Sequence, residues 1–413
     1  MFSLEKFYKI LYLNLLKPVK LGFLCFEKFG STSVKDLSYY DSKGGLSYNM
    51  TELFCEPHNH VLFYDQEPIY INTASKIWGY DDDTNTTLTQ VNYHWQSGQL
   101  GWFKVPLIII ATSEISYEKD MLFKYDQDHK DWYYFFHGFA ALDWYSDIKY
   151  YPPVRNYSQV FICFNNLYTK NRSYRLNLIA RLIQKNLDSQ GYIGLPSQNL
   201  KKNIKTELFS KESQLSIKSK KIIYDTIYAN PPILTIDTDT FTGELSAHAE
   251  LQTLTQGLFH IVTETIFYDQ KLHLTEKIFK PIVARRPFFL VAAPGNLAYL
   301  KSYGFKTFDR WIDESYDLEL DNDKRISLIV QEIERLCQLP SAELDAIYQE
   351  MWEVLDYNFK WFYNGFKNYI VNELVNNFQK CLISHNTGLI NNSPYFIDYS
   401  PIDFELVKQR LSQ

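Results

Sequence analysis

Residues 273–295 read HLTEKIFKPIVARRPFFLVAAPG, and this stretch decides the fold that the sequence predicts. The run PFFLVAA (287–293) is a short, continuous apolar segment, which is typical of a strand buried on both faces of a parallel sheet. The net charge of the chain is −6, so a local excess of cations beside this strand is unusual. We expect these cations to face a ligand cleft and not the core: Lys277, Lys280, Arg285 and Arg286.

The composition predicts a soluble protein with more than one domain. A chain of 413 residues is too long for one ordinary core, so two domains are expected. A hydrophobic fraction of 46% and an aromatic fraction of 17% exclude a disordered chain. The five cysteines form no CxxC pair, which indicates reduced thiols in a cytoplasm and neither a disulfide framework nor a zinc site. Charged residues and Pro18 interrupt the apolar N-terminus, so we expect neither a signal peptide nor a membrane span.

Short apolar runs alternate with longer amphipathic segments along the chain. In the first half the runs lie at 19–26, 60–65, 105–113 and 132–138, and the prolines of YPPV (151–154) mark a break. In the second half, runs at 159–164, 232–237, 259–267, 287–293 and 305–308 alternate with helical segments near 172–186, 246–258, from 275 and near 296–303. Long helices are expected at 324–337 and 342–381. This alternation predicts an α/β fold with two Rossmann-like domains that face each other across a central cleft.

The side chains that follow Thr275 suit the binding of a diphosphate. Thr275 is a good helix N-cap, and Glu276, Lys277 and Lys280 lie in the first turns of the expected helix. Cations are unfavourable at a helix N-terminus unless an anion also binds there, and a carboxylate such as that of Glu276 can accept two hydrogen bonds from a ribose diol. The alternative is that Glu276 only caps the helix and that the two lysines are surface residues.

A second group of cations follows the predicted strand QVFICF. Arg172 and Arg175 open the next helix in the sequence NRSYR, and the arginine fork matches phosphate oxygens. The carboxyl ends of parallel strands share one edge of a sheet, so we expect both cationic helix starts to contact one diphosphate. Neither GxGxxG nor GxxxxGK(S/T) occurs in the chain, which argues against a dinucleotide oxidoreductase and against a P-loop NTPase.

Polar side chains at strand ends in the first half are candidates for a general base. Asp65 and Glu67 follow the apolar residues HVLFY, and His137 follows the run WYYFF. A carboxylate or an imidazole in such a position could deprotonate an acceptor hydroxyl. The alternatives are that the carboxylates cap a loop and that His137 is a satisfied structural histidine. No His/Cys cluster has metal-ligand spacing, so we predict no metal site.

The segment at 201–221, KKNIKTELFSKESQLSIKSKK, carries seven lysines and two glutamates. Such a run usually forms a solvated helix face or loop. The alternative is a patch for an anionic partner, for example a DNA backbone. The net negative charge of the whole chain argues against strong DNA binding, because DNA affinity comes largely from phosphate neutralisation.

Several of these motifs resemble those of known glycosyltransferases. The sequences FYDQEP and NRSYR, and the block from LTEKIFKP to DRWIDESYD, resemble a group of bacterial and phage enzymes. The start Thr-Glu-Lys is similar to the α1,3-fucosyltransferase family. The resemblance implies the GT-B architecture, with residues 1–153 as an acceptor-side domain and residues 154–345 as a nucleotide-sugar domain. Residues 346–413 would form helices that pack back on the first domain.

The resemblance also implies a reaction, the transfer of a sugar from a nucleoside diphosphate sugar such as a UDP-sugar to an acceptor hydroxyl. Glu264 would lie near the donor sugar or base. The acceptor would be a hydroxymethylated pyrimidine in phage DNA or, alternatively, a cell-surface glycan or a lipid-linked acceptor. The co-substrate is expected to suffice without a cofactor or metal, and a non-catalytic nucleotide- or glycan-binding protein is the remaining alternative. The predicted donor-binding residues are Arg172, Arg175, Glu264, Thr275, Glu276, Lys277 and Lys280.

Overall fold

The computed structural model divides into two compact units. It describes residues 21–25, 36–40, 46–47, 60–64, 108–112, 115–116 and 130–134, positions 136, 138, 141–142, 145 and 148, and residues 157–384 except 197–198, 212, 230–235, 238–250 and 269. The first unit takes in residues 2–137 and 368–401, and the second takes in residues 138–367. The border at 137/138 lies before the predicted border at 153/154, since Ala141 and Tyr145 are fully buried in the second unit.

The first unit contains a six-stranded sheet of order β3-β2-β1-β4-β5-β7. Strands β1, β4, β5 and β7 run parallel, whereas β2 and β3 form an antiparallel edge. The parallel strands overlap the four apolar runs expected in this half, although the last strand begins two residues before its run, and the polar edge strands were not predicted. The strands are β1 (Leu21–Cys25), β2 (Asp36–Tyr40), β3 (Leu46–Ser47), β4 (His60–Tyr64), β5 (Ile108–Thr112), the short β6 (Ile115–Ser116) and β7 (Lys130–Tyr134).

The second unit contains a five-stranded sheet of order β10-β9-β8-β11-β13, in which every pairing is parallel. Numbered along the chain, these strands have the order 3-2-1-4-5 of a Rossmann fold, with the reversal between β8 and β11. All residues of β11 are buried, as expected for a central strand covered on both faces. The strands are β8 (Gln159–Phe164), β9 (Gly191–Leu195), β10 (Ile236–Asp237), β11 (Gly257–Thr263), the short β12 (Lys271–Leu272) and β13 (Phe288–Val291).

Helices alternate with the strands of this sheet and continue after it. Short helical turns of other types occur at Lys170–Arg172, Glu276–Ile278 and Phe362–Phe366. No helix in the described ranges is both long enough and apolar enough to cross a membrane. The α-helices are α1 (Tyr174–Gln184), α2 (Leu200–Phe209), α3 (Ile217–Ile223), α4 (Leu251–Leu254), α5 (Phe279–Val283), α6 (Asn296–Ser302), α7 (Asn322–Cys337), α8 (Ser341–Trp361) and α9 (Lys367–Ser384).

The predicted α/β class with two largely parallel sheets is therefore confirmed, and the placement of the two sheets across a cleft stays a prediction. The strand expected at 305–308 was wrong. Phe305 and Phe308 are buried as the pattern indicated. However, the backbone of Lys306 exchanges hydrogen bonds of 2.8 Å with the side-chain amide of Asn358 in α8 and not with a neighbouring strand.

Two of the four cations beside β13 lie in the core, contrary to expectation. Arg285 and Arg286 are buried. The Nε atom of Arg285 lies 3.3 Å from Asp356 of α8, and its guanidinium stacks on the ring of Phe359 at 3.5 Å. Arg286 donates to the backbone oxygen of Thr255 at 2.9 Å. A guanidinium can be buried in this way because its faces pack on aromatic rings while its edge donates hydrogen bonds.

The aromatic side chains at and after the end of α8 also pack within the second unit. Phe362 and Phe366 pack against Phe279 of α5 at centroid distances of 5.3 and 5.2 Å. The residues up to Lys367 therefore extend the core of this unit, whereas the sequence placed the segment from 346 onward with the first domain.

Candidate functional site

The candidate site lies at the carboxyl edge of the second sheet, where the strand order reverses. Strands β8 and β11 are neighbours there, and the hydroxyl of Thr263 at the end of β11 donates to Asn165 Oδ1 after β8 at 2.9 Å. Both side chains are buried. In open α/β sheets, ligands bind in the crevice outside the strand ends at such a reversal.

Arg175 holds this edge together from the first turn of α1. Its guanidinium is buried and donates to the backbone oxygens of Leu167, Thr263 and Glu264 at 2.6, 2.9 and 3.0 Å. The hydroxyl of Tyr174 also donates to the Glu264 oxygen. Arg175 thus fixes the loop after β11 to the start of α1, and its donors are used by the backbone. Arg172 ends the short helix before α1 and is half-buried.

Glu264 links the loop after β11 to residues 275–277, which we call the TEK segment. Its carboxylate is fully buried and accepts hydrogen bonds from the Thr275 hydroxyl at 2.7 Å and from the Thr275 amide at 3.2 Å. The amide of Thr265 donates to the same carboxylate at 3.3 Å. Burial raises the pKa of Glu264, while Lys277 and the Thr275 hydroxyl oppose that rise. The carboxylate is therefore a buried support for Thr275.

Thr275 is an N-cap, as its position in the sequence predicted. Its backbone is extended, and its hydroxyl oxygen accepts a hydrogen bond from the Lys277 amide at 3.3 Å. The same oxygen accepts a hydrogen bond from Lys277 Nζ at 3.0 Å, and Nζ also lies 3.2 Å from Glu276 Oε1. The helix that Thr275 caps is short, because it consists of one tight turn followed by α5. Any attraction for anions must therefore come mainly from the lysine side chains and less from a helix dipole.

Glu276 and Lys280 complete this group of ionisable side chains. Glu276 is buried, and its backbone oxygen accepts a hydrogen bond from the Tyr145 hydroxyl at 3.5 Å. Lys280 is half-buried, and burial lowers its pKa from 10.5 to about 8, although the charge of Glu276 favours the protonated form. The charge of Lys277 acts in the same direction as burial. Burial thus has a larger effect on the pKa of Lys280 than the attraction of Glu276.

The structure brings most of the predicted donor-binding residues to one network. Glu264, Thr275, Glu276 and Lys277 are joined by direct contacts, and Arg175 reaches the same network through the backbone of Glu264. The predicted catalytic residues Asp65, Glu67 and His137 lie outside the described residues. Among the residues that the structure describes, no His, Cys, Asp and Glu side chains form a group that could hold a metal ion.

Three supporting residues were not recognised in the sequence. They are Asn165, Tyr174 and Tyr145, none of which carries a motif of its own that marks it in the sequence. Tyr145 is buried 131 residues before Glu276, so its contact depends on tertiary structure. A signal for Tyr174 did exist, since it lies between the two arginines of NRSYR at the start of α1.

Comparisons with known proteins give remote structural likenesses only. No protein-family model matches the sequence. A search of curated proteins finds no match either. Among solved structures, Staphylococcus aureus TarM, in complex with Fondaparinux, alpha-GlcNAc-glycerol and UDP, is similar over 77% of this chain, with 13% identity and a TM-score of 0.36. The matched region spans 50% of TarM, so this chain covers half of that protein's length.

Two other similar structures are covered over a larger share of their length. T4 phage beta-glucosyltransferase is matched over 76% of this chain and 74% of its own, with 9% identity and a TM-score of 0.37. Trehalose 6-phosphate synthase from Burkholderia multivorans is matched over 81% and 74%, with 13% identity and a TM-score of 0.38. Because these scores are low, the fold described above rests on the strand order and contacts of this chain itself.

Proposed function

We propose that this protein is a glycosyltransferase that moves a sugar from a nucleoside diphosphate sugar to an acceptor hydroxyl. The observation that carries the proposal is the joining of Lys277 and Glu276 to the buried supports Thr275 and Glu264 at the carboxyl edge of a sheet with Rossmann strand order. Lys280 lies one turn further along the same segment.

The two lysines suit the departing diphosphate. Breaking the bond between the anomeric carbon and the diphosphate oxygen places negative charge on the leaving group, and fixed cations stabilise that charge in the transition state. Lys277 is held by Thr275 and Glu276, so little reorganisation is needed when a phosphate approaches. Lys280 has a lowered pKa, and a bound diphosphate would supply the negative charge that favours its protonated form.

The carboxylates and the arginine have different roles in this proposal. Glu276 accepts hydrogen bonds from the ribose diol of the donor. Glu264 is fully buried against Thr275, so we propose that it positions the TEK segment and does not contact the sugar directly. Arg175 positions the loop after β11, because its donors are taken by backbone oxygens. Arg172 remains a proposed contact to the diphosphate.

The remaining step needs a base for the acceptor. The acceptor oxygen forms a bond to the anomeric carbon as the bond to the diphosphate breaks, and the hydroxyl proton passes to a carboxylate or an imidazole. Glu67, Asp65 and His137 are the proposed candidates for this base. The reaction as written requires no metal ion or cofactor.

A binding and turnover experiment tests the proposal. The full chain is titrated with UDP, GDP and CMP by calorimetry, and incubated with the matching nucleotide sugars while release of free nucleotide is measured. We expect one nucleoside diphosphate to bind. Lys277→Ala should lower kcat by about 10²–10³ if this lysine acts as other preorganised electrostatic contacts do. Lys218→Ala, at an exposed lysine of α3 away from the network, is the matched control and should leave nucleotide affinity and nucleotide release without acceptor unchanged.

Two results would decide against the proposal. Binding without nucleotide release, in the presence of either acceptor class, would identify a non-catalytic nucleotide-binding protein. Equal activity of the Lys277 and Lys218 variants would show that the network is structural only. Duplex DNA containing hydroxymethylated pyrimidine and a lipid-linked glycan serve as the two acceptors, and acceleration of nucleotide release identifies the one that is used.

A further inference from the structure

Helices α2 and α3 of the second unit present an exposed basic surface. Six lysines of this segment are exposed: Lys201, Lys202, Lys205, Lys211, Lys218 and Lys221. On α2, positions 202, 205 and 209 have helical spacing and share one face, and on α3 position 221 is a helical neighbour of both 217 and 218. The two helix ends are adjacent, because Lys220 Nζ in α3 donates to the Ser210 backbone oxygen after α2 at 3.1 Å.

These charges are not neutralised within the described part of the chain. None of the ion pairs between described residues includes any of the six exposed lysines. The acid of α2, Glu207, is buried and accepts a hydrogen bond from the Lys170 amide at 2.6 Å. A positively charged surface is unexpected on a chain with a net charge of −6. It therefore suits an anionic partner.

Large apolar side chains lie among the lysines. Phe209, at the end of α2, is 69% exposed, and Ile217, at the start of α3, is 89% exposed. Phe209 directly precedes Ser210, which accepts the Lys220 hydrogen bond, and Ile217 is the first residue of the helix that carries Lys220. Burial of these side chains in an apolar phase would be favourable, and their exposure in water is not offset by any described contact of the fold.

We propose that this surface, which we call the α2–α3 face, binds an anionic lipid bilayer. Lysines attract the charged headgroups, while Phe209 and Ile217 enter the boundary between headgroups and acyl chains. Clusters of four to eight basic residues on a helical surface are typical of such binding. The lysine stems also cover apolar surface while their ammonium groups stay in water.

A bilayer explains the α2–α3 face better than a nucleic acid does. A phosphate backbone would neutralise the lysines but would leave Ile217 in water. The face contains no arginine, the residue whose guanidinium donates two parallel hydrogen bonds to phosphates and to guanine bases. A lipid surface, unlike a phosphate backbone, uses both the charges and the aliphatic side chain.

Sedimentation with lipid vesicles tests the proposal. The full chain is mixed with vesicles of phosphatidylcholine alone or of phosphatidylcholine and phosphatidylglycerol in equal amounts. We expect binding only to the second kind. The triple variant Lys205→Gln/Lys218→Gln/Lys221→Gln should bind roughly 100-fold more weakly, from about fivefold per lysine. The double variant Phe209→Ser/Ile217→Ser should also lose at least about tenfold.

A matched control separates this surface from a general effect of removing apolar residues. Leu318 is 72% exposed in the same unit, and Leu318→Ser should leave vesicle binding unchanged. Full binding by the Phe209/Ile217 variant, equal binding to both kinds of vesicle, or binding to duplex DNA without binding to vesicles would each overturn the proposal. Lys277→Ala should bind vesicles normally, so this test is independent of the proposed sugar transfer.

Discussion

Lys280 should make the protein less stable at neutral pH than a variant without this charge. Burial lowers its pKa from 10.5 to about 8. This difference corresponds to about 3 kcal/mol, because each pKa unit is worth about 1.4 kcal/mol. The side chain keeps some contact with solvent, so we expect a value nearer to 2 kcal/mol.

The direction of the pH dependence follows from the lowered pKa. Between pH 10.5 and about 8, the unfolded chain binds a proton at Lys280 that the folded protein does not, so stability increases as pH rises through this window. Below about pH 8 the full cost is present and no longer changes with pH. Lys280→Met should therefore stabilise the protein by about 2 kcal/mol at pH 7, and the gain should shrink toward pH 10.5.

Urea unfolding of the wild type and of Lys280→Met at pH 7 and pH 10 measures this difference. Lys218→Met, at an exposed lysine, is the control and should change neither value. A destabilised variant, or a gain that is the same at both pH values, would refute the reasoning. Nucleotide binding supplies a second check, since a bound diphosphate would raise the pKa of Lys280 and affinity should fall as pH rises above about 8.

Three further predictions follow from other contacts. Thr275→Val removes the cap of the TEK helix and a donor to buried Glu264, which should cost about 1–3 kcal/mol in urea unfolding. Arg285→Ala should destabilise by about 3 kcal/mol in thermal unfolding, because it removes the buried guanidinium that pairs with Asp356 and stacks on Phe359, and so opens a gap in the core, although Asp356 keeps its ion pair with Lys360. His260 is buried with a pKa lowered to about 4, chiefly by burial, so stability should fall as pH drops from 6.5 to 4. His260→Phe should weaken that acid dependence in unfolding measured at pH 7 and pH 4.5.

Each of these predictions has a distinct control. Thr275→Ser keeps the hydroxyl and should behave as the wild type, so equal loss in both variants would contradict the assigned role. Arg285→Lys keeps the charge but not the stacking fork, and it should be intermediate in stability. An unchanged slope of stability against pH in the His260 variant would show that other groups cause the acid sensitivity.

Features that depend on neighbouring residues were predictable from the sequence. The strand at 159–164 has the predicted bounds, since it is a continuous apolar run between polar segments. Thr275 was recognised as an N-cap because capping requires a hydroxyl directly before a helix. The strand β9 was missed, because Gly191 and Gly194 are unfavourable in strands. Gly191 is nevertheless needed there, since a Cβ would lie 2.1 Å from the ring of Phe161.

Features that depend on distant parts of the chain were not predictable. Arg285 and Lys280 are both cations that lie a few residues before strand β13. The partner of Arg285, however, is Asp356, which lies 71 residues further along the chain. Charge near a strand therefore suggested a ligand for both, and only the tertiary structure shows that Arg285 pairs with Asp356 inside the fold. The hydrogen bonds of Arg175 could not be predicted for the same reason, because backbone oxygens at strand ends cannot be located from sequence.

The contact between α5 and the residues that follow α8 gives the C-terminal part of the second unit an indirect influence on the proposed nucleotide site. Phe279 lies between Lys277 and Lys280 and is packed against Phe362 and Phe366. A shortened protein that stops before these two rings would still contain every proposed donor ligand, yet the backbone carrying the lysines would lose the surface on which it rests. Any fragment intended to retain donor affinity must therefore extend through Phe366.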